Sequence, residues 1–174
     1  EDIESTNTTP EAPDLWRHLA NARDQHLSAV VMEISSQALK YDRSLGLSLD
    51  VAAFLNIGAD HISAVEHPTF EDYFASKLKI FSQCDNAVEC GSCDMVYPDI
   101  WATDIKPLGT QLTFVAHGTD AEEDEGEPTE WQFPVTINFP GLFNVENALV
   151  AIACAKLLGV SDAAIVAGLA ACRV

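Results

Sequence analysis

Glu33, His61 and Lys77 offer a carboxylate, an imidazole and an amine, a set able to hold a cation, move a proton or attack an electrophile. Glu33 lies in Val30-Val31-Met32-Glu33-Ile34-Ser35-Ser36, an apolar, β-branched run that ends in a carboxylate and two hydroxyls. That pattern predicts a buried strand, Ala29 to Ile34, delivering polar groups at its C-terminal end. His61 follows a second apolar run, Ala52-Ala53-Phe54-Leu55-Asn56-Ile57, with Asp60 beside it. Ligands of open parallel α/β sheets bind beyond the carboxyl ends of the strands, so Glu33 and His61 are placed to face one site. Taken singly, each also fits a plainer role, as a partnered strand-end carboxylate and a satisfied histidine.

Lys77 stands out by its neighbours. If Phe70 to Phe81 is helical, Phe70, Tyr73, Phe74, Leu78 and Phe81 form one apolar stripe, and Lys77 falls inside it while Lys79 points elsewhere. Apolar surroundings favour the neutral amine, the form that reacts with electrophiles. A lysine snorkelling from the edge of the stripe fits the same pattern.

The elements that must position these residues follow from local signals. Thr9-Pro10-Glu11 predicts a helix start, and Leu15, Leu19 and Ala22 mark its buried face through roughly His26. The strand Ala29 to Ile34, a short helix or turn from Ser35 to Arg43, and a strand Val51 to Ile57 come next. This alternation predicts parallel pairing with right-handed crossovers. Further on, Ala87 to Cys90, Met95 to Tyr97, Leu112 to Ala116 and Trp131 to Ile137 predict short strands, some alternating as antiparallel edge strands do. Asn138-Phe139-Pro140-Gly141 signals a turn before a helix from Phe143 to Leu158 ended by Gly159, and Ser161 is the N-cap of a last helix towards Ala171.

Composition narrows the class. The chain has 174 residues, 48% of them hydrophobic, which suits one globular α/β domain. No apolar run is long enough to span a bilayer and no signal peptide opens the chain. It begins at Glu1 without an initiator methionine, as an excised domain would. Against 9 basic residues stand 27 acidic ones, a net charge of −18 that argues against a nucleic-acid surface. It also opposes tight binding of polyphosphates unless metal ions or local cations intervene. Much of the excess sits in an acidic loop, residues 119–130, which reads as a solvated loop. Five cysteines without dense spacing point to a reducing, cytoplasmic compartment. Cys90-Gly91-Ser92-Cys93, with Cys84 nearby, could join a zinc site or a redox pair, or be free thiols in a turn; no second C-x-x-C supplies further ligands.

Several of these segments together resemble the central domain of the Mur ligase family: Asn7-Thr8-Thr9-Pro10, Met32-Glu33-Ile34-Ser35-Ser36, Asp60-His61, Tyr73 with Lys77, and Gly141-Leu142-Phe143-Asn144-Val145-Glu146-Asn147-Ala148-Leu149. They run in the family's order across nearly the whole chain. Within the family the likeness is greatest to ligases that add the third amino acid to UDP-N-acetylmuramoyl-L-alanyl-D-glutamate. The resemblance implies a central-domain fold, mostly parallel sheet flanked by helices with a small antiparallel portion. It implies ATP-dependent amide formation through an acyl phosphate, with Mg2+ as cofactor. Glu33 and His61 would hold magnesium, and Lys77 would be carbamylated and bind a second ion. Asn7, Thr8, Thr9, Ser35 and Arg43 would hold the UDP-muramoyl dipeptide, and Asn144 and Asn147 would approach the adenine of ATP; helix capping explains these two asparagines equally well. The implied partners are the UDP-MurNAc-dipeptide, ATP and a diamino acid, together with N- and C-terminal domains of a parent chain, and neither nucleic acid nor membrane.

Three positions depart from the family's commoner pattern: Gln37 stands where histidine is frequent, Tyr41 where glutamine often sits, and Ser63 where an aspartate follows the Asp-His pair. His67, in the loop before Lys77, has no assigned role. The family's Gly-x-x-Gly-Lys-Thr/Ser phosphate loop is absent from these residues. The expectation is therefore a central domain cut out after its first strand and phosphate loop, inactive alone. Other Mur-like ligases, of the folylpolyglutamate or cyanophycin synthetase type, and a non-catalytic metal- or partner-binding module are the competing readings; Asn7-Thr8-Thr9 and Ser35 with Arg43 weigh against the former.

Overall fold

A computed structural model describes residues 7–55, 57–58, 61–89, 100–120 and 129–173. The chain divides into two compact units, one of Glu1–Leu49 with Ile57–Asp85 and one of Asp50–Asn56 with Asn86–Val174.

The first unit is built on three helices: α1 (Ala12–Asp24), α2 (Ser36–Lys40) and α3 (Phe70–Leu78), the last continued by a 3-10 turn, Lys79–Gln83. Of the expected face of helix α1 only Leu15 is buried, Leu19 and Ala22 being partly covered, and the helix starts later than Thr9-Pro10 suggested. Glu11 is its N-cap and Pro13 lies in its first turn. Thr9 is not a cap because its hydroxyl is used elsewhere: it donates to the Glu33 carbonyl at 3.0 Å and accepts from the Ser35 N–H at 2.9 Å. Ser35 caps α2 by accepting from the Ala38 N–H at 3.2 Å. At the other end of α2, the Lys79 ammonium donates to the Leu39 and Lys40 carbonyls and pairs with Asp42, where a cation meets the negative end of the helix dipole.

The predicted strand Ala29 to Ile34 does not form. The segment has no regular secondary structure, no described strand lies alongside it to complete a ladder, and Val31 is 97% exposed. A strand is defined by its partner as much as by its residues, and this segment instead lines an apolar groove with Leu15 and Leu19 of α1 and is tied to Thr9 at Glu33. The stripe expected over Phe70 to Phe81 is also shorter than its periodicity implied. Helix α3 stops at Leu78, Phe70 is 42% exposed and stacked on Phe74, and among its apolar residues only Tyr73 is fully buried.

The second unit is a sandwich about one helix. Strands β1 (Leu49–Phe54) and β2 (Cys84–Glu89) pair as a parallel two-stranded sheet; β3 (Ile100–Leu108), β4 (Gln111–Asp120) and β5 (Thr129–Ile137) form an antiparallel sheet in the order β3-β4-β5. The antiparallel portion is therefore the larger among the described residues. Alternation on β4 and β5 sends Leu112, Phe114, Ala116, Phe133, Val135 and Ile137 to one face. Helix α4 (Phe143–Leu157) meets that face with Val145, Ala148 and Ile152, and turns Val150 and Ala153 to Val88, Val51 and Ala53 of β2 and β1. A helix buried on two sides must be apolar nearly all round, as this one is. It ends in a Schellman motif: Gly159, at φ 71°, donates to Lys156 O and Val160 donates to Ala155 O, both at 2.9 Å. Helix α5 (Asp162–Ala171) adds Ile165 to the core.

The predicted strands Leu112 to Ala116 and Trp131 to Ile137 and both C-terminal helices are present with modest changes at their ends. Strand β3 was not foreseen. Met95 to Tyr97, the pair Cys90 and Cys93 and most of the acidic loop lie outside the described residues.

Candidate functional site

The first unit contains a cleft of about 330 Å³ that collects most of the residues singled out from sequence. Asn7 and Thr8 enter it from the segment before α1, Glu33 and Ser35 from the segment before α2 and the cap of α2, and Arg43 from the turn after α2. His61 and Lys77 enter from the loop before α3 and from α3 itself. Thr9 lies beneath, fully buried, tying the first of these segments to the second. Asn144 and Asn147 belong to the second unit. The Asn144 side chain donates to Pro140 O at 2.6 Å, which supports the turn that opens α4, and Asn147 is exposed.

Tyr73 organises the far wall. It is 3% exposed, its ring lies 5.5 Å from that of His61 and 5.0 Å from that of His67, and the Lys77 ammonium sits 5.3 Å from its centroid. Lys77 is half-buried, and burial lowers its pKa below the ordinary 10.5 while the Glu33 carboxylate pulls the other way. The Tyr73 ring and the nearby Glu33 charge thus both act on the lysine.

Arg43 is mostly covered, pairs with Glu11 at 2.7 Å and donates to Thr9 O at 3.4 Å, and its buried Nε has no partner among the described residues. A guanidinium with unused donors beside a polar cleft suits a carboxylate or phosphate.

Two residues escaped the sequence reading. His67 is completely buried, with Nδ1 2.8 Å from Asp72 Oδ2 and Nε2 2.9 Å from Ser36 Oγ. Asp72 also accepts from Lys40 at 2.7 Å, and these hydrogen bonds, Lys40 first and His67 second, hold its carboxyl below the usual range. The network fastens the loop before α3 to both α2 and α3. Glu66, the second, lines the cleft with Oε2 3.2 Å from His61 Nδ1. A histidine and a glutamate in a loop carry no periodic signal; only the Glu-His pair ahead of the Thr69 cap hinted at a built structure.

Among the described residues no three His, Cys, Asp or Glu side chains are grouped as a complete metal site. Glu33 and His61 supply two donors at the cleft, and Lys77 would become a third only as a carbamate.

The family described as the Mur ligase middle domain matches residues 1–155. The UDP-N-acetylmuramyl-tripeptide synthetase of Bifidobacterium longum is 38% identical over 91% of this chain and 34% of its own length. The UDP-N-acetylmuramoyl-L-alanyl-D-glutamate–L-lysine ligase of Streptococcus agalactiae is 40% identical over 88% of the chain and 32% of its own. The corresponding 2,6-diaminopimelate ligase of Corynebacterium glutamicum is 34% identical over 97% and 35%. A crystal structure of MurF from Acinetobacter baumannii shares the fold, with a TM-score of 0.52 and 24% identity over 72% of this chain and 29% of that one. The chain belongs to the Mur ligase family, as its middle domain. It spans about a third of the length of these relatives. No described helix is long and apolar enough to cross a membrane.

Proposed function

We propose that this chain is the central domain of a cytoplasmic, ATP-dependent ligase of peptidoglycan precursor synthesis, which adds a diamino acid, diaminopimelate or lysine, to UDP-MurNAc-L-Ala-D-Glu. What supports this reading is the gathering of Glu33, His61, Lys77, Ser35 and Arg43 in one polar cleft. In the reaction, the D-glutamyl carboxylate attacks the γ-phosphorus of ATP, ADP leaves, and an acyl phosphate forms. The amine of the diamino acid then attacks the acyl carbon and phosphate departs. Asn7, Thr8, Ser35 and Arg43 bind and orient the dipeptide substrate, with Thr9 supporting them from below. Asn144 and Asn147 are the candidates for the adenine.

The Glu33 carboxylate fits Mg2+, an oxygen-seeking ion that commonly takes only one or two carboxylates and completes its shell with water and substrate phosphates; the His61 imidazole would add one nitrogen donor beside it. Glu33 and His61 would hold it, and it would neutralise charge on the transferring phosphoryl group. Lys77 has the environment for carbamylation: burial favours its neutral amine, which attacks the carbon of CO2 and releases one proton. The resulting carbamate would give the cleft a third donor beside Glu33 and His61.

The test is an assay of amide product and ADP release by the full-length protein containing these residues. Product should require ATP, magnesium, the UDP-MurNAc-dipeptide and a diamino acid together, and Lys77→Met or Glu33→Gln should lower turnover by roughly a hundredfold or more. No product, or full turnover by both variants, would overturn the reading. The 174 residues contain no Gly-x-x-Gly-Lys-Thr/Ser phosphate loop and by themselves should be inactive.

A further inference from the structure

We infer that Glu66 is a positioning residue for His61, fixing the imidazole as the tautomer protonated on Nδ1 and leaving Nε2 as its lone-pair nitrogen. The inference rests on the proposed role of His61 as a group that meets a metal ion.

The geometry begins with the 3.2 Å approach of Glu66 Oε2 to His61 Nδ1. A carboxylate without a proton can only accept, so the bond requires the hydrogen on Nδ1. In a neutral imidazole that leaves Nε2 free to donate its electron pair. An imidazole without a partner favours the opposite tautomer, so the carboxylate decides the outcome. Carboxylate partners of this kind set ring orientation and basicity at metal-binding histidines.

The backbone of Glu66 is held in place, which sets where its carboxylate starts from. Its N–H donates to Ser63 Oγ at 3.1 Å, and its carbonyl accepts from the Lys40 ammonium at 3.0 Å. The loop is closed at its base by Ser63 N–H donating to His67 O at 2.8 Å and by the Ile62–His67 bridge. His67, the next residue, is locked to Asp72 and Ser36 with no exposure. On the other side, His61 rests against the Tyr73 ring. The Glu66 backbone and one face of the His61 ring are therefore restrained before any ligand arrives, while the two side chains meet at the cleft surface, 38% and 53% exposed. The serine at 63, one of the departures from the family pattern, has a use here: its hydroxyl holds the Glu66 backbone.

The experiment is a multiple-bond nitrogen–proton spectrum of the histidine rings in the full-length protein, at about pH 8, where imidazoles are ordinarily neutral. The His61 signals are assigned from their loss in His61→Gln. The expected result is an Nδ1–H pattern that changes to Nε2–H in Glu66→Ala and is retained in Glu66→Gln, whose amide oxygen still accepts. Amide-forming kcat/KM should fall about 10- to 100-fold in Glu66→Ala and recover most of that in Glu66→Gln. An Nε2–H pattern in the unaltered protein, or no change in Glu66→Ala, overturns the inference whatever the activity. The expected tautomer switch in a protein that forms no amide product would instead overturn the proposed function and leave the Glu66–His61 assignment standing.

Discussion

Thr9→Val tests how the cleft is held together, because it removes one oxygen and changes little else. Thr9 is completely buried, and valine has nearly its shape. The hydroxyl makes two short bonds to the segment that carries Glu33 and Ser35, donating at 3.0 Å and accepting at 2.9 Å, with the Ser35 hydroxyl a longer alternative acceptor at 3.5 Å. Each such bond contributes about 0.5–1.5 kcal/mol net, and stranding a buried partner costs about 1–3 kcal/mol. Glu33 and Ser35 keep some access to water, which recovers part of that loss, so a total near 2 kcal/mol is expected. The assay is amide hydrogen exchange read at Ser35, whose N–H loses its acceptor in the variant. At a factor of ten for every 1.4 kcal/mol, exchange at Ser35 should accelerate about 30-fold. Thr9→Ser keeps the hydroxyl and loses one methyl group, a change of about 1 kcal/mol without selective exposure of Ser35. Exchange at Ser35 within about twofold of the unaltered protein in Thr9→Val would refute the argument, since the two bonds would then carry no weight.

Two further outcomes follow from other parts of the structure. Gly118→Ala should destabilise the second unit by about 1–3 kcal/mol, because its new methyl would be driven into the Trp131 ring, and loss of near-ultraviolet dichroism at a lower midpoint would register it. For Asp72, whose carboxyl is held below its ordinary 3.8 by Lys40 and His67, the unfolded chain binds more protons than the folded one as pH falls past that value. Stability from this group is therefore present above 3.8 and lost below it; Asp72→Asn should be less stable at neutral pH and show a shallower acid decline, measured by urea unfolding across that range.

That Glu33, Ser35, Arg43, His61 and Lys77 line one cleft follows the order of motifs in the sequence, and the two C-terminal helices were legible because their signals are local. Gly159 ends α4 through its own backbone freedom, and Ser161 opens α5 two residues later. Strand β3 was hidden by Asp104, Lys106 and Pro107, which a central strand would not accept. It lies at the edge of its sheet, where one side of the ladder needs no partner.

Sequence by itself thus determined which groups were available and the local turns, caps and alternation that carry them, since these depend on neighbours within a few residues. Only the tertiary structure decided that Val30-Val31-Met32 has no strand partner among the described residues, that Thr9 is a tie rather than a cap, and that Tyr73 alone among the apolar residues of α3 is fully covered. It also decided that His67 is a buried fastener and Glu66 the partner of His61. The physical reason is range: burial and hydrogen bonding depend on groups such as Ser36, 31 residues from His67, whose arrival in space no local pattern records.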